Sequence, residues 1–556
     1  MSPSTNVVIM PKPSNPNSPD AEAGHRSTHR GSALEKPLDA VETHASSSVP
    51  SSEVFAVFGV EPEIQAYAMA KYSRSALSMK ESLREISTQK AEKFLNTFYF
   101  QYGHRSIADL AHLALAIERL SILAAIELAD EQRWDGQERS TRYQDFRKSG
   151  YYIPDFSSDD TARQLYINAI DDLFSEYESL SESIFRYLAE TTPKPAEMKQ
   201  ETYDRTLKAR AFDISRYLLP LATNTSLGEI VNARTLETQV SHLLSHSHAE
   251  VRHLGGLLKQ AAASAAYNVN HEIYRTLVDE IHELSPELAE RAEKELLKKV
   301  RVSPTLVKYA DPNAYEIETR RELRQIASEL MKSVAIEPAR TVELLDDDSL
   351  EIELASTLLY EHCHYSYRQI RREVEALGET KRREIIEAGL RHRGRHDEML
   401  RAFRSGQHFR FDILMDIGGF RDMHRHRRCI QIEQGFTTRH GFDIPEQLEP
   451  AGALSKYKSA MDRASVAVAT LEKSSASEAG ESAQYAIPLG FRKRTLFKMD
   501  FAEAVYISEL RTGPAGHFSY RNAAYAMFEE VRKKYPALAG YFRVHDVRQP
   551  VDLLQR

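Results

Sequence analysis

His408-Phe409-Arg410-Phe411-Asp412-Ile413 is the stretch that decides the fold, because its alternating polar and apolar side chains predict a β-strand. Much earlier in the chain, His112-Leu113-Ala114-Leu115-Ala116-Ile117 also begins with His and places its large apolar side chains at alternate positions. Two such similar strands in one chain predict an internal repeat.

Further landmarks follow both strands in the same order. Those of the first half are Asp130-Glu131-Gln132, Thr141-Arg142, Ile153-Pro154, Pro220-Leu221 and Asn232. Those of the second half are Arg425-His426-Arg427, Thr438-Arg439, Ile444-Pro445, Pro488-Leu489 and Asp500. We therefore predict two homologous domains, at about 54–335 and 336–556, that arose by tandem duplication.

The segments between the predicted strands have the character of helices. His271–Val300 has helical character with a break near Pro286, and Asp347–Glu375 has apolar residues at helical spacing. Each repeat therefore combines many helices with a few short strands. We predict the α+β class, with two copies of a mostly helical module that contains a small mixed sheet.

The bulk composition excludes several classes of protein. A net charge of −8 over 556 residues gives no reason to expect nucleic acid or a membrane as a partner. The two cysteines, Cys363 and Cys429, exclude a disulfide scaffold and a multi-cysteine zinc site, and they fit a reducing, cytoplasmic location. We find no apolar run long enough to cross a bilayer and no signal-peptide core. Residues 1 to about 52 are rich in Ser, Pro, Asn and Ala, so we expect a disordered tail.

Arginine is concentrated in one part of the second half. The block contains no Lys and consists of Arg391, Arg393, Arg395, Arg401, Arg404, Arg410, Arg421, Arg425, Arg427 and Arg428. Planar guanidinium groups suit phosphate or carboxylate ligands. Within the block, Arg425-His426-Arg427 could hold an extended polyanion, although a solvated basic surface is the alternative.

The corresponding stretch of the first half contains Glu138, Ser140 and Arg142 at alternate positions. In an extended segment these three side chains face one side, where a hydroxyl and a guanidinium suit a phosphate. A capped loop is the alternative, since Ser and Glu also favour turns. The sole Trp, Trp134, either packs in the core or fills a vacated ligand pocket.

Four histidines, His242, His246, His248 and His253, could form a metal site with Glu250, because His246, Glu250 and His253 could share a helix face. We favour a solvated polar face and predict no metal. Cys429 lies close to Arg427 and Arg428, which could lower the pKa of its thiol. We favour an inert, buried Cys429.

Taken together, these motifs resemble those of the flavin-dependent thymidylate synthases. The first half has Gly103-His104 before the strand that starts at His112, and then matches the family as Glu138-x-Ser140-x-Arg142, Arg216-x-x-x-Pro220-Leu221 and Asn232-Ala233-Arg234. The second half has Arg425-His426-Arg427, Thr437-Thr438-Arg439, Pro488-Leu489 and Leu510-Arg511. The resemblance covers nearly everything after the tail.

The resemblance implies an enzyme that methylates dUMP to dTMP, with methylenetetrahydrofolate as carbon donor, FAD as hydride carrier and NADPH as reductant. It implies that Arg425, His426 and Arg427 hold the flavin together with Asn232, Arg234 and His104. It further implies that Glu138, Ser140, Arg142 and Arg216 bind the nucleotide. Arg511 would contact the uracil ring and stabilise charge that develops there.

Each half lacks motifs that the other half keeps. Asp130-Glu131-Gln132 stands at the position of the Arg-His-Arg motif, Gln484 at the position of Arg216, and Asp500-Phe501-Ala502 at the position of Asn-Ala-Arg. The family assembles its sites from several subunits. We therefore predict a composite site from both halves, about one flavin per chain, and a homodimer that acts as a pseudo-tetramer. We expect the opposite combination of halves to lack arginines and to repel a pyrophosphate.

Two alternatives stay open from the sequence. One is a flavoenzyme that acts on another uracil-type nucleotide, because Thr437-Thr438-Arg439 is a loose match and Gln484 lacks the Arg charge. The other is a non-catalytic nucleotide or RNA binder that uses the arginine block. The net charge of −8 and the scarcity of aromatic residues in that block argue against RNA.

Overall fold

The computed structural model describes residues 57, 59–71, 79–85, 105–156, 159–338, 340–346, 349–394, 397, 400–404, 409–473 and 479–554. The predicted disordered tail, His104 and His408 lie outside the described residues. Residues Gly59–Arg556 form one compact unit. The domain boundary near residue 335 stays a prediction.

Helices account for most of the described chain. In the first half they are α1 (Pro62–Lys71), α2 (Met79–Glu85), α3 (Ile122–Ala129), α4 (Asp160–Thr191), α5 (Gln200–Ser215), α6 (Ala233–Leu244), α7 (Ala249–Ala263), α8 (His271–Leu284), α9 (Pro286–Leu296) and α10 (Ala314–Leu330). In the second half they are α11 (Leu350–Tyr360), α12 (Tyr367–Ala376), α13 (Glu379–Ala388), α14 (Ile417–Met423), α15 (Leu454–Leu471), α16 (Ala479–Ser482), α17 (Phe501–Arg511), α18 (Phe518–Lys534) and α19 (Pro536–Ala539). The predicted break near Pro286 is confirmed, since Pro286 is the first residue of α9.

Each half contributes one small sheet. The first sheet has the order β1-β3-β2 and the second has the order β4-β5-β7-β6. The strands are β1 (His112–Ser121), β2 (Trp134–Glu138), β3 (Asn224–Asn232), β4 (Val342–Leu344), β5 (Phe409–Asp416), β6 (Ile430–Glu433) and β7 (Arg492–Met499). The α+β class is confirmed. The sheets are antiparallel rather than mixed, because the chain reverses direction between every two strands that pair.

Equivalent residues cap equivalent helices in the two halves. Ser121 ends β1 and accepts a hydrogen bond from the backbone of α3, and Asp416 ends β5 and does the same for α14. After the central strands, Asn232 caps α6 and Asp500 caps α17. The predicted internal repeat is therefore present in the fold as well as in the sequence.

The two repeats meet at the Pro-Leu pairs that the sequence singled out. Pro220 and Pro488 form an antiparallel bridge. On either side of it, the Leu221 N–H donates to the Ile487 carbonyl and the Leu489 N–H donates to the Leu219 carbonyl, both at 2.9 Å. This reciprocal pairing is what a two-fold relation between the halves requires.

One hydrophobic core joins the halves. Tyr217, Leu221 and Leu236 of the first half pack in the same buried cluster as Tyr457 and Leu489 of the second. A smaller cluster lies between α11–α13 and the second sheet. A two-fold relation and a shared core bring residues of both halves together at equivalent places. Among the described residues, no helix is long and apolar enough to cross a membrane.

Candidate functional site

Four of the predicted binding residues lie close enough to one carboxylate for their charges to lower its pKa. Arg142 and Arg216 come from the first half, whereas Arg425 and Arg511 come from the second. Burial alone would raise the pKa of Asp422, but the charges of these four arginines lower it. We call Asp422 and the four arginines the arginine site.

Arg216 is the most deeply buried member, with 2% of its surface exposed. It follows α5, and one terminal nitrogen of its guanidinium lies 3.7 Å from the Asp422 carboxylate. Its Nε and its other terminal nitrogen are buried and donate to no described group. Because an unpaired buried donor is costly, this side chain is expected to have a ligand.

Arg142 is held in place by a chain of contacts that crosses between the halves. Its Nε lies 2.8 Å from the carboxylate of Asp213, and a terminal nitrogen lies 2.9 Å from the hydroxyl of Tyr520. Burial lowers the pKa of Arg142, but Asp213 raises it above its ordinary value. Arg142 is therefore a fixed cation.

Arg511, at the end of α17, is oriented by His426. Its Nε donates to the Nε2 atom of His426 over 2.7 Å, and the Nδ1 atom of His426 lies 3.7 Å from Glu503. The Arg511 guanidinium also lies over the Tyr520 ring, 5.4 Å from its centre. Burial lowers the pKa of His426, so this ring is a neutral acceptor for Arg511.

The loop after β2 adopts the second of its two predicted conformations. The strand ends at Glu138, and the chain then turns at residues 141–143, so Glu138, Ser140 and Arg142 do not share one extended face. The Ser140 hydroxyl accepts from the Arg142 N–H, which stabilises the turn. Glu138 is ion-paired with Arg421 of the second half. The loop is thus the capped alternative, yet it still delivers Arg142 to the site.

The predicted flavin residues Arg427, Asn232 and Arg234 lie at the end of β3. Arg427 lies over the Trp134 ring and 3.0 Å from Asp135, whose strand partner is Ile230. One terminal nitrogen of Arg427 is buried and has no described partner. Arg234 lies 3.1 Å from Asp109, while the Asn232 side chain caps α6. Trp134 packs against the core and donates from its indole nitrogen to Ala129.

The equivalent place in the other half is a cluster of ion pairs. Glu127 is the counterpart of Asp422, and Asp130 is the counterpart of Arg425, by their spacing from the caps Ser121 and Asp416. Asp130 lies 2.5 Å from Arg401. The expectation that arginines are absent here is therefore wrong, because Arg401 comes from outside the compared motifs.

His424 lies at the centre of this cluster. Its Nε2 atom is 3.2 Å from Asp130 and 3.0 Å from Glu433, which in turn lies 3.0 Å from Lys493. Burial lowers the pKa of His424, but Glu433 and Asp130 raise it to about 9 overall. The ligand atoms of His424, Asp130 and Glu433 lie within 4.8 Å of one another, a spacing that a metal ion could use. Arg401 and Lys493 already balance these carboxylates.

The described part of the arginine block, which leaves out Arg395, is largely paired within the chain. Arg401, Arg421, Arg427 and Arg428 pair with carboxylates of the chain, and Arg410 is buried. Its members are therefore mostly used in internal contacts.

The predicted histidine cluster forms only in part, since the rings of His246 and His248 stack with their centres 5.1 Å apart. His242 pairs with Glu316, His246 precedes α7 and pairs with Glu127, and Glu250 accepts from Ser121. The predicted solvated face is wrong for Glu250 and His248, because both side chains are buried. Cys429 is buried, and burial raises the pKa of its thiol, which favours an inert over an activated Cys429.

Sequence reasoning missed Asp213, Asp422, His517 and Tyr520. Asp422 precedes Arg425 by about one helical turn, and Asp213 precedes Arg216 by the same spacing. This spacing is a weak sequence signal that the two side chains of each pair lie on the same side of the chain. His517 is buried, and its Nε2 atom lies 2.9 Å from the Asp213 carbonyl. Burial, followed by the charges of Arg216 and Arg142, lowers its pKa, so it adds no charge to the site.

The comparisons with known proteins agree on one family. The model of a family described as thymidylate synthase complementing protein matches residues 58–266 and, a second time, residues 340–537. A UPF0159 protein of Chlamydia muridarum is 27% identical over 532 residues, which cover 89% of this chain and 92% of that protein.

Two further relatives match about one repeat each. A flavin-dependent thymidylate synthase of Clostridium tetani is 25% identical over 211 residues, which cover 37% of this chain and 80% of that protein. A crystal structure of a flavin-dependent thymidylate synthase of Helicobacter pylori with FAD and dUMP covers 38% of this chain and 93% of its own, at 17% identity and a TM-score of 0.25.

Proposed function

Because the chain belongs to the family of thymidylate synthase complementing proteins, we propose that it binds a flavin and a uracil nucleotide and methylates dUMP to dTMP. The observation that carries the proposal is Arg216, a buried guanidinium with two unpaired nitrogens in a group of four arginines. Such a group binds an anion. Its members come from both halves, as a composite site requires.

By this proposal, the arginine site holds the nucleotide. Four guanidiniums face the carboxylates of Asp213 and Asp422, so two positive charges remain for a phosphate monoester. Arg511 is oriented by His426 and Tyr520, so it can stabilise negative charge on a uracil carbonyl without reorganising.

The residues at the end of β3 fit a flavin dinucleotide. Arg427 has a buried nitrogen without a described partner and would hold the pyrophosphate, assisted by Arg234 and Asn232. When bound, FAD would supply hydride transfer, with NADPH as the source of electrons and methylenetetrahydrofolate as the source of the carbon. The protein aligns these groups and supplies the fixed charges.

Another uracil-type nucleotide is the second candidate substrate. The departures that motivate it, Gln484 and Thr437-Thr438-Arg439, are counterparts of site residues and do not belong to the arginine site itself. An RNA-binding function has less support, since the arginine block is paired internally.

The first test is the colour and activity of the purified protein. We expect a yellow protein with bound FAD that complements a thymidine auxotroph. Replacing Arg425 and Arg427 together with Ala should release the flavin, because each removes a charged contact worth roughly 1.5–3 kcal/mol. The matched control is Glu131→Ala with Gln132→Ala, at the equivalent positions of the first half. Full flavin in the Arg double variant would contradict the proposed cofactor site.

A further inference from the structure

The hairpin formed by α8 and α9 carries an apolar stripe. Ile273, Leu277 and Leu284 of α8 are exposed over 67%, 42% and 87% of their surface. At 3.6 residues per turn, these three positions lie within about 40° of one another around the helix, so they form one face. Leu288, near the start of α9, is about half exposed as well. Exposed apolar side chains that line up on one face mark a surface for a partner.

The rest of the described chain does not cover this stripe. The two helices of the hairpin pack against each other, where Arg275 of α8 lies 3.0 Å from Glu293 of α9. The buried residues of the two helices are Val278 and Ala289, which are not members of the stripe. The hairpin also lies between the two segments that match the family, so the common fold of the repeats provides no cover for it.

Charge divides the hairpin into an acidic tip and a basic base. Residues 279–290 form the tip and contain neither Lys nor Arg, and their carboxylates belong to Asp279, Glu280, Glu283, Glu287 and Glu290. Residues 291–301 form the base, where two Glu stand beside the basic residues Arg291, Lys294, Lys298, Lys299 and Arg301. The tip carboxylates form no ion pair with a described residue. Because like charges repel, the tip gains stability from a cationic partner.

A second copy of the hairpin matches both the stripe and the charges. In a two-fold contact the same surface serves both copies, and two antiparallel hairpins place each acidic tip against the basic base of the other. The two apolar stripes then lie along each other, as in packed helices. A parallel arrangement would place acidic tip against acidic tip, which costs free energy.

We propose that the hairpin of α8 and α9 is a self-association surface, at which the hairpins of two chains pair antiparallel through Ile273, Leu277 and Leu284. The acidic tip of each hairpin lies next to the basic base of the other. The contact is independent of the proposed nucleotide and flavin sites. It uses side chains that are exposed in the single chain, so each chain folds without it.

Cysteine cross-linking of the full-length protein tests the antiparallel geometry. Leu277 lies at the middle of α8, so the two-fold axis brings its two copies together. Oxidised Leu277→Cys protein should therefore run at twice the mass of the chain on a non-reducing gel. The matched control is Leu284→Cys, whose two copies lie at opposite ends of the contact, about 20 Å apart at 1.5 Å per residue, and cannot form a disulfide. Cys363 and Cys429 are buried and do not take part.

Sedimentation velocity measures the contribution of the charges. Replacing Glu283 and Glu287 together with Lys should weaken self-association by about tenfold or more, because the tip of each hairpin then loses its attraction to the basic base of the other. The control, Glu190→Lys with Glu197→Lys, makes the same charge change at exposed residues outside the hairpin and should leave self-association unaltered.

The outcomes decide between a second copy and other occupants of the stripe. Cross-linking of Leu277→Cys but not of Leu284→Cys supports the antiparallel pair. Equal cross-linking of the two variants, or none in either, overturns it. A Leu277→Cys thiol that resists alkylation in a monomeric chain would mean that residues 1–56 or another segment of the same chain covers the stripe, which also overturns it. So does unchanged self-association of the protein with Lys at positions 283 and 287.

Discussion

At the scale of single residues, side chains that share one sequence prediction, nucleotide binding, have different roles in the structure. The Glu138 carboxylate forms an ion pair with Arg421, whereas two buried nitrogens of Arg216 have no described partner. Pairing within the chain decides which of the predicted residues can still bind a ligand.

Arg216→Ala should weaken dUMP binding by about tenfold or more, since a charged hydrogen bond is worth roughly 1.5–3 kcal/mol. Flavin content should stay high, because Arg216 is not among the predicted flavin contacts. Titration of the oxidised flavin spectrum with dUMP measures both quantities. Gln484→Ala changes the equivalent residue of the second half and should leave the dUMP affinity unaltered. Equal affinities for both variants would remove Arg216 from the site.

His424 makes the stability of the fold depend on pH. Its folded pKa of about 9 lies above the ordinary histidine value of roughly 6.5. The stabilisation by charged His424 is therefore complete at pH values below its ordinary pKa. It is lost as the pH rises through its pKa in the folded protein. His424→Gln should cost about 2–3 kcal/mol of this pH-dependent stability at pH 7 and almost none of it at pH 10.

Urea unfolding at both pH values measures this difference. The control is His440→Gln, because burial lowers the pKa of His440 to about 3 and the ring is neutral at both pH values. A His424→Gln deficit that is the same at pH 7 and pH 10 would show that the charge of His424 does not stabilise the fold.

At the scale of elements, local sequence patterns predicted the strands and helix starts that interactions between neighbouring residues determine. Alternation found β1, and Pro286 marked the start of α9. The turn at Arg142 was one of two open alternatives, because a Ser-x-Arg stretch is compatible with both a strand and a turn. In the structure the Ser140 hydroxyl accepts from the Arg142 N–H and stabilises the turn.

The neighbours of the site were missed for a different reason. Arg142 and Tyr520 are 378 residues apart in the sequence, and no periodicity extends over such a distance. Family motifs identified the arginines, but they gave no information on Asp422, whose role depends on what surrounds it.

The hairpin of α8 and α9 lies between the two segments that match the family. Its buried side chains are only Val278 and Ala289, while Ile273 and Leu284 are exposed. A bridge between Ala265 and Arg301 closes its base. Replacing residues 268–298 with a short Gly-Ser turn should therefore change the melting temperature by no more than roughly 2–4 °C, the shift expected for about 1 kcal/mol in a large domain.

Calorimetry and flavin content of the shortened protein check this expectation. Loss of the folded state would mean that the hairpin supports the body of the protein. Loss of flavin alone would mean that the hairpin acts on the site.

At the scale of the whole molecule, the two repeats have different electrostatic character at equivalent places. One place holds the arginine site, and the other holds a cluster in which Asp130, Glu433 and Glu127 are balanced by Arg401, Lys493 and histidines. The equivalent places of the two halves thus differ: several arginines lie near Asp422 at one, and ion pairs balance the carboxylates at the other.

Mass measurement in solution should find a dimer of tandem chains with about one flavin per chain. Closed two-fold assemblies are the usual state of soluble oligomers, and the chain offers one complete set of cations. The measurement combines native mass spectrometry with flavin absorbance after denaturation. An active monomer or two flavins per chain would rule out the shared-site arrangement.

The bridge between Pro220 and Pro488 also has a consequence for biosynthesis. Ribosomes add roughly 5–20 residues per second, so the backbone groups of Leu219 and Leu221 wait on the order of 13–54 s for their partners to be made. During that interval the nascent first repeat exposes apolar surface that the second repeat later covers. Since contacts so distant in sequence also form slowly, we expect the emerging chain to be prone to aggregation until translation ends.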